Sequence, residues 1–305
     1  MFEVRLVCMT SVPRIWPASS TATPDAVSSA VKALGLSSAG SFVSRVVGAL
    51  KYADTVALQA VATVKNWVNR ALSIARAASS AYHLIAGAGS LISEFSRALS
   101  GFSLAAESSQ SQAAAIGSPA TAASFASSAQ GSVASAVAAT GSQRDQINAA
   151  VLLSSYQTPT DATVVGIPQA GTVAADQTAL LFRRAAVAQM AQAASAYQPT
   201  SSDEASAIQV QVASIIEAAI LEAGDAGDDA VYADLLNLRT AVMQDMSAKG
   251  ASLPATEIIS VNASLPSLVL AQRLYQDATR ADDLAQRAQA IHPAFMPQQF
   301  KALSS

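Results

Sequence analysis

Apolar residues recur at spacings of three and four along most of this chain, the pattern of helices with one buried face. It is plainest between residues 201 and 250. Ser201-Ser202-Asp203-Glu204 supplies a capping hydroxyl and first-turn acids. Ile208, Val212, Ile215 and Ala219 then form a stripe that Gly224 ends. Asp228-Asp229 open a second helix, with Val231, Leu235, Leu238, Val242 and Met246 on its buried side and Gly250 as its stop. The short Asp225–Gly227 loop predicts an antiparallel helical hairpin. Upstream, Asp176 to Tyr197 reads as one helix closed by Pro199.

The rest of the chain divides by the same signals. Residues 1–22, with Pro13 and Pro17, read as irregular. Thr23-Pro24-Asp25 is a helix start, with proline in the first turn and an acid behind it, and Gly35 is the expected stop. From Ser41 to about Leu99 the pattern is helical. Val61, Val64, Val68 and Leu72 form one stripe, Trp67 is expected as a core anchor beside it, and Gly87 and Gly89 break the region in two. Residues 100–143 are a low-complexity Ala/Ser stretch, expected as short helices or a linker, and Thr158 to Gly171 as a connection.

The last fifty residues change character. Glu257 to Val261 is short and β-branched and reads as a strand. A helix follows through Leu268, Leu270, Leu274 and Tyr275, then a turn over Gln276–Thr279, a second helix from Arg280 to Ile291, and a second strand from Gln299 to Leu303. The expected fold is therefore mainly α: Ala-rich helical hairpins or a bundle, followed by a small C-terminal β-α-α-β module. Its segments are 1–22 irregular, 23–99 basic and helical, 100–171 Ala/Ser-rich, 172–250 the hairpin domain, and 251–305 the module.

Composition refines this picture. Apolar residues make up 51% of the chain but aromatics only 5%, because much of the apolar content is alanine. Alanine favours helix yet buries little area, so such helices gain stability from length and from neighbours, in bundles or oligomers. The net charge of −3 hides an asymmetry: residues 1–100 hold nine bases and four acids, net +5, and the remainder nine bases and seventeen acids, net −8. The basic residues are spread along the first third rather than clustered, which fits a solvated helix face better than a nucleic-acid site. The longest uncharged run, Ser108 to Gln143, is Ser, Ala, Gln and Gly with Pro119 inside it, so no membrane span is expected. The first residues lack the long apolar core of a secretory signal.

Candidate chemistry is sparse. Cys8 is the only cysteine, so neither an intrachain disulfide nor a cysteine-rich zinc site can form. His83 lies in an apolar stretch, and His292 sits where an imidazole can meet the last carbonyls of a helix. There is no G-x-S-x-G elbow and no phosphate loop. Asp225, Asp228 and Asp229, and likewise Asp282 and Asp283, are expected to stabilise helix N-termini through the dipole. No catalytic, cofactor or metal residues are assigned, and no enzyme activity is expected. Tyr275, Phe295 and Phe300 are expected in the core of the terminal module rather than in a ligand groove. With Leu268, Leu270, Leu274 and Trp67 they complete the set of core or protein-contact candidates.

The segment LPSLVLAQRLYQDATRADDLAQRAQAIHPAFMP (265–297), with DDAVYADLLNLRTAVMQDMSAKGASLP (228–254) before it, resembles the C-terminal region of the DNA circularization protein N family of Mu-like phages. That resemblance implies a structural tail component of a contractile phage particle at the baseplate or hub end of the tube. It further implies hub, tape-measure and tube proteins as partners and a ring of three or six copies. The chain would then be assembled in the host cytoplasm and carried in the virion. Family members usually carry a β-rich N-terminal domain that residues 1–100 do not resemble. The same tail is similar to LysM modules, with Tyr275-Gln276-Asp277 at the inter-helix turn and Pro297-Gln298-Gln299-Phe300 near the end. Glycine is replaced at Gln276 and Gln298, and Gln289 or Ala290 stands for the usual asparagine, which points to protein contact rather than glycan binding. The alternatives are a cell-wall-binding protein using this tail, or a DNA-binding protein acting through the basic first third.

Overall fold

The computed structural model describes residues 23–47, 119–138, 140–157 and 169–304. Trp67, the stripe from Val61 to Leu72, His83 and the glycine pair 87/89 lie outside the described residues. Among the described residues there are eight α-helices and one two-stranded sheet, so the fold is mainly α with a small C-terminal sheet.

Six helices form a bundle. They are α1 (Thr23–Val47), α2 (Pro119–Ala138), α3 (Gln143–Ser154), α4 (Gln169–Ala196), α5 (Ser202–Asp225) and α6 (Asp229–Gly250). Cross-helix pairs fix their directions. Phe42 stacks on Phe125 at 5.6 Å and Gln130 donates to the Gly35 carbonyl at 2.8 Å, so α1 and α2 are antiparallel. Thr23 bonds Asp245 while Arg45 bonds Asp228, so α1 is antiparallel to α6 as well. Glu217 pairs with Arg239, and Gln209 donates to the Met243 carbonyl across the α5–α6 hairpin. Helix α4 occupies the centre. Ala179, Leu181, Phe182, Ala186, Val187, Met190, Ala191 and Ala194 are buried on all its sides, as expected of a helix apolar all round. Its alanines let neighbouring backbones approach closely.

The hairpin matches its sequence signals at both ends. The Ser201 side chain accepts from the Glu204 amide. After α5 the chain closes in a Schellman arrangement: Gly227 adopts φ +67°, its amide donates to Gly224 O at 3.0 Å, and the Asp228 amide donates to Ala223 O at 2.9 Å. On α6 the five expected stripe residues are all buried. On α5 the stripe lies one position further round. Ile216 and Ile220 are buried, while Ile215 and Ala219 sit half-buried at its edge, because α5 packs on α4 as well as on α6. Helix α5 is the one described helix long and apolar enough to cross a membrane, and its apolar stripe is spent on the bundle core.

Two expectations are corrected here. The stop at Gly35 does not occur, and α1 continues to Val47. Gly35 faces α2, its carbonyl receives the Gln130 side chain, and burial of Val27, Leu34, Phe42 and Val46 on one face outweighs the roughly 1 kcal/mol helical cost of a glycine. Part of the Ala/Ser stretch is likewise core. Ala122, Ala126, Ala129, Val133 and Val137 of α2, and Ile147, Ala150 and Leu153 of α3, belong to the same apolar cluster as the hairpin. The segments separated at residues 100 and 171 therefore share one core. Pro119 opens α2 rather than interrupting it.

The C-terminal module comprises β1 (Thr256–Ser260), α7 (Ser267–Tyr275), a 3-10 turn (Ala278–Arg280), α8 (Ala281–Arg287) and β2 (Gln299–Leu303). The strands pair antiparallel, Ile259 opposite Phe300 and Glu257 opposite Ala302. Their inner face joins Leu270, Ala271, Leu284, Ala285 and Met296 in a second, separate apolar cluster. Hydrogen bonds tie the module to the start of α5, among them Ser202 N to Pro254 O at 3.0 Å and Thr256 N to Asp203 Oδ2 at 2.6 Å. The second helix ends at Arg287, short of the expected Ile291. Gln289 turns left-handed at φ 49°, and the Ala290 amide closes on Ala285 O.

Candidate protein-docking surface

The module's helices meet at a turn that fixes both of them. Gln276 terminates α7 at φ 55°. Asp277 then accepts from the amide and the hydroxyl of Thr279 at 2.9 and 2.7 Å, bonds that hold its carboxyl below the usual range. The Arg280 guanidinium lies 3.8 Å over the Tyr275 ring, and the Tyr275 hydroxyl accepts from the Leu303 amide at 2.9 Å. Tyr275 therefore joins turn, helix and strand in one element, half-buried.

At the other end the β1–α7 and α8–β2 connections are laced together. Val261 N donates to Gln298 O, Ser264 Oγ and Met296 N bond across, and Ser267 N donates to Pro293 O at 2.7 Å. This lacing brings the first turn of α7 beside residues 291–296. Met296 turns inward and is buried. Leu268, Val269, Ile291 and Phe295 turn outward, with Phe295 72% and Ile291 fully exposed. The His292 ring stands 6.0 Å from that of Phe295, and its Nδ1 accepts from the Ala294 amide, where contact with the last carbonyls of a helix was expected.

The candidate contact residues thus separate into two sets. Leu270 and Phe300 are core, and Leu274 and Tyr275 pack half-buried against it. Leu268 and Phe295 are surface. Phe295 was expected in the core, but the bend that closes His292 O onto the Phe295 amide at 3.0 Å gives the inward position to Met296. Sequence periodicity had no means of showing this, since the residues between Arg287 and Gln299 follow no repeating period.

Polar groups elsewhere in the bundle form two clasps. At the hairpin tip Asp228 accepts from Arg184 at 2.6 Å, Arg45 at 2.5 and 3.0 Å, and Ser41 at 2.9 Å. Burial pushes its carboxyl up, but the arginine and serine bonds outweigh this and hold it below the usual range. Asp228 was expected to stabilise the start of α6 through the helix dipole, and it stands at the N-cap position. It makes no side-chain cap bond, because α1 and α4 claim both its oxygens. At the opposite end Asp245, fully buried, accepts from Thr23 at 2.7 Å and pairs with Lys249 at 2.8 Å, while Lys249 also reaches Ser195 O. Tyr197, pushed up to about 12 by burial and by the neighbouring Glu204, donates to that carboxylate at 2.5 Å.

Two clefts of about 410 and 500 Å³ flank α4. The arginines that line them, Arg184 and Arg183, are already engaged with Asp228 and Glu222. Among the described residues no three His, Cys, Asp or Glu side chains stand close enough to hold a metal ion. No family model matches the chain, and none of the curated proteins is significantly similar to it.

Proposed function

We propose that this chain is a structural component of a contractile phage tail, at the baseplate or hub end of the tube. In this reading its C-terminal module docks on a neighbouring tail protein through the ridge of Leu268, Val269, Ile291 and Phe295. The exposed ridge is the observation that carries the reading. Leu268 and Val269 in the first turn of α7, and Ile291 and Phe295 on the α8–β2 connection, stand exposed on segments that hydrogen bonds tie to each other, and an aromatic in such a patch is the usual anchor of a protein interface. The likeness of residues 228–297 to the circularization-protein family supplies the setting, with hub, tape-measure and tube proteins as partners in a ring of three or six copies. The turn at Gln276 supports the LysM-like part of that likeness: it is left-handed at the position where the LysM pattern carries glycine. In this reading the role is mechanical, with no turnover of a substrate.

The test is incorporation. Leu268→Ser with Phe295→Ser should leave helix content and unfolding unchanged, yet remove the protein from assembled particles as detected by mass spectrometry. If the doubly substituted chain enters particles as the wild type does, or if the wild type is absent from them, the reading is overturned. Retention of the wild type on peptidoglycan, lost in the same variant, would favour a cell-wall ligand for the ridge instead.

A further inference from the structure

The bundle and the C-terminal module keep separate apolar cores, and no strand or helix of the module packs along a described helix of the bundle. A joint that buries little apolar surface gains little from the hydrophobic effect, so polar groups must orient the module. The joint itself is short. Leu253 N donates to Gly250 O at 3.2 Å, so the chain up to residue 253 still follows the end of α6. Ala255 already follows the module, because its carbonyl accepts from the Ser304 amide at 2.8 Å. Pro254 stands between the two. Residues 251–255 form neither helix nor strand, and Ala251, Ser252 and Ala255 are exposed.

Two residues in the first turn of α5 reach across this joint. Ser202 N and Oγ both donate to Pro254 O, at 3.0 and 3.5 Å, which fixes a point on the joint but no direction. Asp203 Oδ2 accepts from Thr256 N at 2.6 Å, inside the module, and this second point sets the direction. The sheet register explains why that amide is free to be taken. Val261 N bonds Gln298 O and Ser304 N bonds Ala255 O, so in the antiparallel alternation the odd-numbered residues of β1 face β2 and the Thr256 N–H points away from it. A carboxylate accepting from an amide makes a charge-assisted bond, stronger than the neutral one at Pro254. Asp203 is exposed, so water can replace the amide when that bond opens.

We infer that Pro254 is a pivot and the Asp203 carboxylate a latch. With the Asp203–Thr256 bond made, the module holds one orientation on the bundle; with it broken, the module swings as a unit while both cores stay intact. The exposed Phe295 rides on the module, so the latch sets where that side chain is presented. The inference rests on the joint alone and is independent of the proposed tail function.

Spin labels on the purified full chain test it. Asn237→Cys on α6 and Gln286→Cys on α8, both at exposed positions, carry the labels in a Cys8→Ser background, and double electron–electron resonance reads their separation. With the latch intact the distance distribution should be narrow. Asp203→Ala should broaden it at least twofold at unchanged helix circular dichroism. Thr256→Pro should broaden it to the same extent. It removes the amide donor at the first residue of a strand, where proline is tolerated, and leaves the acidic first turn of α5 in place. A distribution already broad with the latch intact, equal widths in all three proteins, or broadening in only one of the two variants would each overturn the inference.

Discussion

Replacing Asp228 with alanine tests whether the tip clasp holds three helices together. The Arg184 side chain is only 4% exposed, so removing its carboxylate leaves a buried guanidinium without a counter-charge. Breaking a buried pair from one side typically costs about 3–5 kcal/mol. Arg45 adds little to that figure: it is partly solvated and keeps the Ala226 carbonyl, so Arg45→Ala alone should cost about 1 kcal/mol or less. The decisive variant is Asp228→Ala/Arg184→Met, which removes both buried charges and fills the site with a flexible apolar side chain. A pair replaced in this way is often close to neutral, so the double variant should be more stable than Asp228→Ala alone, by about 2 kcal/mol. Urea unfolding followed by helix circular dichroism reads these differences as midpoint shifts at constant slope. The clasp also has a pH signature. The folded Asp228 carboxyl lies below its unfolded value of about 4, so its contribution is complete above that value and is lost as pH falls through the lower, folded one. Wild type should lose stability in acid more steeply than the double variant. A loss under 1 kcal/mol for Asp228→Ala, or strict additivity with Arg184→Met, would refute the idea that Asp228 acts through the buried arginine.

Two further predictions concern packing and backbone. Ala186 is fully buried on the central helix α4, and leucine there forces neighbouring helices apart, so Ala186→Leu should cost about 1–3 kcal/mol or more in the same unfolding assay. Gln276 holds a left-handed conformation that costs a non-glycine residue about 1–2 kcal/mol, partly offset by the freedom glycine adds to the unfolded chain. Gln276→Gly should therefore raise the thermal midpoint, and a fall would show that the Gln276 side chain makes a contact worth more than the strain.

Much of this fold is legible in the sequence because local signals and tertiary packing agree. The Ser201 cap, the Gly227 turn, the buried stripe of α6 and the strand from Gln299 to Leu303 each stand where the sequence predicts them. The failures share a cause. Gly35 and the Ser-rich α2 look like breaks when propensity is read residue by residue, yet both lie in helices because α1 and α2 bury each other's faces. Propensity differences below about 1 kcal/mol per residue yield to such burial. The role of Asp228 was hidden for another reason: its partners, Ser41, Arg45 and Arg184, are remote in sequence, and nothing at positions 225–229 announces them. The split between Phe295 and Met296 was hidden because a loop without a period gives no rule for which side chain turns inward.

The separation of the Asp228 tip from the exposed side chains of the module follows from the same helix directions. Helix α6 leads away from the Asp228 tip for about 33 Å at ~1.5 Å per residue before the chain enters the module. The bonds from Ser202 and Asp203 fasten that module to the far end of the hairpin. The Asp228 tip and the exposed Phe295 therefore lie toward opposite ends of the hairpin. The ionic clasps sit at the two ends of α6, Asp228 at one and Asp245 near the other, each binding α1 to α6. The clasps hold α1 against α6 at the two places where helix ends would otherwise fray. This is why the charge pairs, rather than the alanine layers, are where substitution should tell most.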